Sequence, residues 1–393
     1  ATPPLATVPK VTGLRSVGGH TSGDALLCFD KDAFTSYGFK QGENACVSET
    51  AMTAVNAALA QLLRQAPRLA GAKYVYFYQT PILPEEDPLS LVFDEFIEKV
   101  SEAEPDKADS SETCEELPEE AACEDAENDE MSEEEPSDTD NALQTDEREL
   151  REAQAVLAAK ALLESIHRGE RPELSHNRYY IMPLSGAGGR MMIRGWMEGS
   201  FETLCENTQL WFDDLRLVLP GGRGFTRPPK LFALLIRLLK PQKGERKIGD
   251  RISKELSSVT PRIVYAILNN TPLPDTLASR ALLYIRSRLL IAADDESSRE
   301  RTLDPLACEI LKAWLNRTVR AKGGTDFMNE DLNPSYQGIA YQLGRLMAVY
   351  AAVQTDALGS DLGAGVLQRY YASASTSPAL VIGKLAQLSQ HHL

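Results

Sequence analysis

The hydrophobic pattern of this 393-residue chain changes near residue 215. Before that point, short segments rich in aromatic and branched residues are typical of β-strands: residues 24–30, 73–79, 178–183 and 189–197. Helical patterns at 48–66 and 147–168 lie between them. After it, the segments predicted as helices are 228–240, 247–257, 260–269, 275–292, 303–321, 334–356, 362–372 and 377–392. The pattern predicts an α+β fold, with a mixed α/β domain over residues 1–215 and an all-α helical bundle over residues 216–393.

A strongly acidic segment interrupts the first domain. Residues 101–150 contain 22 acidic and 2 basic side chains, so the rest of the chain holds 35 acidic and 39 basic ones. The net charge of −16 therefore comes from this segment rather than from the whole chain. Residues 101–146 have too few apolar side chains to offset the entropy of ordering, and we predict a disordered insertion. It is either a passive solvated loop or a tail that competes with nucleic acid for the chain's own basic surface.

Positive charge is concentrated directly after residue 215. Residues 216–254 contain 11 basic side chains against Glu245 and Asp250. On a helix over 228–240, Lys230 and Arg237 share one face, and the following KPQKGERK adds bases on a loop. This density favours a polyanion backbone as partner, although a solvated charged face is the alternative. In GGRGF (221–225), the glycines allow close approach and Phe225 can stack on a base.

Basic residues elsewhere complete the candidate interface. Arg190 and Arg194 are four residues apart on a predicted strand and so face the same side. In the helix predicted at 334–356, Gly344 is expected to let another helix approach closely, whereas Arg345 points towards solvent. The predicted nucleic-acid-binding residues are Arg190, Arg194, Arg223, Arg227, Lys230, Arg237, Lys243, Arg246, Lys247, Arg251, Arg317, Arg320, Lys322 and Arg345.

Other functional classes find little support in the sequence. No apolar run approaches the length of a membrane span. The six cysteines show neither metal-ligand spacing nor close pairs, which predicts reduced thiols in a cytoplasmic protein. LSGAGGR (184–190) lacks the Gly-Lys-Ser/Thr ending of a phosphate loop. A hydrolase built on Ser185 or Ser22 has no matched base nearby. We predict a binding protein rather than an enzyme, without metal or cofactor.

Several segments resemble a known family. DALLCFDKDAFTSYGFKQGENACVS (24–48) resembles the SFN-x-x-AF-x-SYG…NAPVS segment in the large subunit of type I-C CRISPR surveillance complexes. LSGAGGRMMIRGW (184–196) is similar to that family's LSPN-x-x-R-x-x-VR-x-W strand. TPRIVYAILNNTPLP (260–274), AYQLGRLMAVYAAVQTDA (340–357) and QRYYASASTSPALVIGKLAQLSQHHL (368–393) resemble its helical bundle and C-terminal ending. The similar segments follow the family's order, and the acidic insertion lies outside them.

The chain also departs from the family pattern. Asp30 stands where the family usually has Asn, Cys46 where it has Pro, and Gly186 and Ala187 where it has Pro-Asn. The chain resembles the C-terminal two-thirds of the pattern. The family's preceding segment, which the resemblance associates with reading the protospacer-adjacent motif, is therefore expected to be missing.

The resemblance implies a role without catalysis in an RNA-guided complex. The subunit would contact the crRNA-bound backbone and small subunits, help to open the target double-stranded DNA, hold the displaced single strand and dock a helicase-nuclease. It also implies that the C-terminal helices can be made separately as the small subunit. Two alternatives remain at this stage: a nucleic-acid-binding helical protein outside CRISPR systems, and the hydrolase with a glycine-rich site.

Overall fold

The computed structural model of the chain describes residues 32–35, 37–39, 41–44, 47–93, 161–162, 164–166, 168, 170–187, 190–219, 222, 224–242, 247–294, 303–359 and 365–390. The predicted strand at 24–30, the acidic insertion and most of the predicted helix at 147–168 lie outside these residues. Within them, a small antiparallel sheet with helices is followed after residue 215 by helices and one isolated β-bridge. The predicted α+β class is confirmed.

The first part is built around the sheet. Its elements are α1 Glu49–Gln65, β1 Arg68–Leu69, β2 Ala72–Tyr78, α2 Pro88–Val92, α3 Pro172–Ser175, β3 Arg178–Ala187, β4 Arg190–Ile193, β5 Met197–Ser200 and α4 Phe201–Leu215. Short 3-10 turns lie at Asp32–Thr35, Gln41–Asn44 and Pro84–Glu86. The strand order is β1-β2-β3, and β4 and β5 lie end to end along the other edge of β3.

The break between β4 and β5 corrects the predicted continuous strand at 189–197. The Arg194 N–H donates to the Pro183 carbonyl at 2.8 Å. Proline has no N–H, so Pro183 cannot return the second hydrogen bond of this pair, and the ladder is interrupted there. Residues 194–196 therefore lie outside the strands, and pairing resumes at Met197 opposite Ile181.

The two faces of the sheet bury different residues because strand side chains alternate. On one face, Tyr74, Tyr179 and Ile181 belong to the main apolar core. On the other face, Val75 and Leu184 pack with Leu59, Leu63 and Met191 in a smaller core that includes α1. A partly buried carboxylate fixes the following loop, since the Tyr76 and Tyr78 hydroxyls both donate to Asp87, the N-cap of α2.

The second part contains α5 Leu231–Ile236, α6 Ile248–Leu256, α7 Thr260–Leu268, α8 Asp275–Asp294, α9 Pro305–Ala321, α10 Ile339–Leu358, α11 Val366–Ala374 and α12 Pro378–Ser389. The main core continues across residue 215, where Trp211 of α4 clusters with Leu235, Ile267 and Ile310. The last three helices have a core of their own, formed by Met347, Val366, Val381 and Leu385. None of the helices in the described part of the chain is long and apolar enough to span a membrane.

Three local predictions need correction. Helix α4 was not predicted, although its N-cap Ser200 accepts a hydrogen bond from the Thr203 N–H at 3.1 Å. Helix α5 is shorter than the predicted 228–240, and its two preceding prolines lie before the helix rather than in its first turn. A Cβ atom built on Gly344 meets nothing within 4 Å, so the predicted close helix approach at this glycine is wrong.

Candidate nucleic-acid interface

A tight hairpin carries the glycine-rich segment that follows α4. The Thr226 N–H donates to Leu217 and the Leu219 N–H donates to Gly224, with Val218 opposite Phe225. Gly224 has φ +131°, a conformation that other residues rarely adopt, so the turn depends on this glycine. Phe225 is half exposed, and the Arg216 guanidinium lies 4.0 Å from its ring centroid. One face of Phe225 is thus occupied by the Arg216 guanidinium.

The charge stripe predicted on helix 228–240 is engaged in contacts within the protein. The Lys230 Nζ donates to the Ser90 carbonyl at 2.6 Å and ties the start of α5 to α2. Arg237 forms an ion pair with Asp304, the N-cap of α9, at 3.3 Å, and both side chains are mostly buried. Both side chains therefore join elements of the fold.

An exposed basic surface remains on α6 and the chain before it. Lys247, Arg251 and Lys254 follow at spacings of four and three residues, which places them on one face of the helix. Arg251 donates to the Lys240 carbonyl at 2.9 Å and pairs with Glu255, whose pKa this hydrogen bond lowers. Lys240, Lys247 and Lys254 are exposed, and no described residue pairs with their ammonium groups. We call Lys240, Lys247, Arg251 and Lys254 the α6 basic face.

Arg317 and Arg320 belong to a buried network rather than to a surface. Arg317 is 1% exposed, its Nε lies 3.2 Å from Asp214, and it donates to the carbonyls of Ala266 and Thr271. Arg320 makes a bidentate contact with the same Asp214 carboxylate, donating to its two oxygens at 2.9 and 3.0 Å. The Arg317 guanidinium is buried and cannot reach a phosphate from this position. The predicted nucleic-acid role of Arg317 is therefore corrected to a structural one.

A second buried polar pair lies one turn earlier on α9. Lys312 donates to the carbonyls of Asp213 and Asp214 at the end of α4. Glu309 is fully buried, and no described group makes a well-formed hydrogen bond to its carboxyl oxygens. Burial raises the pKa of Glu309 to about 7. The nearby Thr226 hydroxyl, Lys312 and Arg237 oppose this rise, and Asp304 adds to it. The carboxyl group therefore sits beneath the glycine-rich hairpin partly protonated near neutral pH.

The remaining predicted residues are scattered. Arg190 is an exposed residue of β4, Arg194 lies at the break after it, and Lys322 is exposed at the end of α9. Arg345 is half-buried and donates to Gln342 at 2.8 Å. Arg227 is exposed in the chain that leads into α5. Arg223, Lys243 and Arg246 lie outside the described residues. Within the described part, the predicted residues therefore lie on several different elements of the fold.

The candidate nucleophiles in the described part of the chain lack an activating partner. The Ser185 hydroxyl accepts a hydrogen bond from the Arg194 guanidinium, a hydrogen-bond donor that offers no acceptor atom for the serine proton. Burial raises the thiol pKa of Cys205 and of Cys308 to about 12, which keeps both unreactive. Among the described residues, no group of three or more potential ligands can hold a metal ion.

Comparison with known proteins identifies the family. A search of curated proteins found no match. A family model described as CRISPR-associated protein (Cas_Csd1) matches residues 3–393, which is nearly the whole chain. The chain thus belongs to the Cas_Csd1 family of CRISPR-associated proteins.

Proposed function

We propose that this chain is the DNA-binding large subunit of a type I-C CRISPR surveillance complex. The observation that carries the proposal is the family match over residues 3–393. In such complexes, pairing with the guide RNA reads the sequence, and the protein supplies charge and shape. The proposed partners are the crRNA-bound backbone and small subunits, target DNA, its displaced strand and a helicase-nuclease, all in the cytoplasm.

The exposed charges support a contact with the DNA backbone. The α6 basic face offers three ammonium groups that no described residue neutralises. They lie on α6 and on the chain directly before it. A group of ammonium ions suits contact with phosphates, which positions a protein on DNA without reading its bases. The separate core of α10, α11 and α12 is also compatible with C-terminal helices that resemble the small subunit.

Of the two alternatives, the family match disfavours a DNA-binding protein outside CRISPR systems. The hydrolase would need an activated nucleophile. Ser185 is only 8% exposed, and its hydroxyl contacts a guanidinium rather than a base. We therefore retain the binding function.

Neutralising the α6 basic face is expected to weaken binding to duplex DNA of any sequence. We expect Lys240→Gln, Lys247→Gln and Lys254→Gln together to reduce the slope of log affinity against log salt by about 2 to 3, since each lost phosphate contact removes roughly 0.9. The measurement is fluorescence anisotropy of a labelled duplex at several salt concentrations. Arg64→Gln, Arg68→Gln and Lys384→Gln form the control, because they remove the same charge from other exposed positions. Equal slopes for both triple variants would contradict binding at α6.

A further inference from the structure

A cleft of about 600 Å³ lies between the interrupted edge of the sheet and α7. On the sheet side it is lined by Arg194 and Trp196 at the break between β4 and β5. On the helical side it is lined by Arg262 and Tyr265, one turn apart on α7, and by the chain that leads to α8. Its volume is within the range of about 300 to 1,000 Å³ that holds small organic ligands.

The cleft presents two cations whose charge no described residue neutralises. The Arg194 Nε donates to the Ser185 hydroxyl at 2.6 Å, which orients the side chain, and its two terminal nitrogens have no partner among the described residues. The exposed Arg262 guanidinium makes no hydrogen bond or ion pair with any described residue. The lining carboxylate, Asp275, accepts a hydrogen bond from the Trp314 indole. The two arginines therefore favour an anionic ligand.

The same cleft exposes two large aromatic rings. Trp196 and Tyr265 are 51% and 52% exposed, unusually high for residues of this kind. The Trp196 indole is held by a hydrogen bond to Glu198 at 3.0 Å and lies 5.9 Å from the Tyr180 ring. A restrained ring loses little freedom when a flat group stacks on it. The ligand that matches these rings carries an aromatic group beside its negative charge.

We infer that this cleft binds an unpaired nucleotide of a single-stranded nucleic acid, with the base against Trp196 and Tyr265 and the phosphates near Arg194 and Arg262. A paired base keeps its faces within the duplex stack, so only an unpaired base can present a face to these rings. The inference rests on the proposed function and assigns to it a second site, which selects for the base. The α6 basic face, in contrast, offers only charge.

The test compares two labelled ten-nucleotide strands, oligo-dT and a strand of abasic sites, which carry the same charge. We expect the protein to bind oligo-dT roughly tenfold more tightly, because the bases of this strand can stack on the aromatic side chains of the cleft. Trp196→Ala should lower oligo-dT affinity to near the abasic value, and Trp196→Phe should restore much of it. Arg262→Gln should weaken both strands by a similar factor. Tyr37→Ala and Arg64→Gln, exposed changes outside the cleft, should alter neither affinity.

Other results would overturn the inference in distinguishable ways. If Trp196→Ala and Tyr265→Ala both leave the affinity for oligo-dT unchanged and duplex binding is intact, the inference that the cleft binds an unpaired nucleotide is wrong. The proposed function is not affected by this result. If the unaltered chain binds no DNA at all, both the proposed function and the nucleotide site in the cleft are contradicted. Competition by equimolar thymidine monophosphate would indicate a free-nucleotide site, and competition by a poly-glutamate peptide of equal charge would indicate an anion site without base selection. Either result contradicts a site for single strands.

Discussion

Replacing Asp214 by alanine is expected to lower the free energy of unfolding by about 3–5 kcal/mol, the usual cost of removing one partner from a buried ion pair. The Asp214 carboxylate contacts Arg317 at 3.2 Å and Arg320 at 2.9 Å. Arg317 is fully buried, and burial already lowers its pKa to about 10. Without Asp214, its charge remains in the core with two carbonyl partners. Chemical denaturation at neutral pH measures the loss.

The adjacent aspartate provides the control. Asp213 is exposed on the same helix. Among the described residues, its carboxylate has one hydrogen-bond partner, the Gln209 amide. Asp213→Ala should therefore change the free energy of unfolding by no more than about 0.5 kcal/mol. Similar losses for the two variants would show that the network does not stabilise the junction of α4, α7 and α9.

Replacing Glu309 by glutamine is expected to remove one pH-dependent contribution to stability. Burial raises the Glu309 pKa from its usual 4.5 to about 7, so the folded state binds the proton more tightly than the unfolded state. Stability from this group is then fully present below pH 4.5, falls as the pH rises to about 7 and is constant above. The total change is roughly 3 kcal/mol. The difference in unfolding free energy between Glu309→Gln and the unaltered chain should follow this curve.

Glu206→Gln on α4 serves as the reference, because this exposed carboxyl group is not removed from water by folding. Between pH 4.5 and 7, the Glu309→Gln difference curve should be clearly steeper than the Glu206→Gln curve. If the two curves have the same slope, the Glu309 carboxyl group is solvated or paired in solution, and its position beneath the hairpin would be contradicted.

The sequence predicted the fold class and most helices because those elements have regular apolar spacing. Helix α4 was not predicted because part of the face that it buries is polar, which hides the apolar spacing. Asn207, Thr208 and Asp214 are all buried, and two of them have distant partners: Asn207 donates to the Leu268 carbonyl, and Asp214 accepts from Arg317. A polar residue reads as exposed until its partner is known. The break after β4 was equally hidden, since it follows from the position of Pro183 opposite Arg194.

The sequence indicated which segment carries the candidate nucleic-acid interface better than it indicated which residues of that segment are available. The excess of positive charge at 216–254 indicated the α6 basic face. The same excess included Arg237, whose partner Asp304 lies 67 residues away in sequence. Arg317 is separated from Asp214 by 103 residues. Arg262 was missed for the opposite reason, because a single arginine in an apolar helix adds little local charge. Pairing between distant residues decides which cations remain available.

The central claim is that this chain works as a subunit of an RNA-guided complex. The most direct measurement is to express the tagged chain with the CRISPR-associated proteins and repeat array of its own locus, purify it and sequence the RNA that accompanies it. The account predicts a short RNA of uniform length with repeat-derived ends, in fixed proportion to the protein. A chain that purifies alone, or with RNA of mixed length and origin, would contradict the claim.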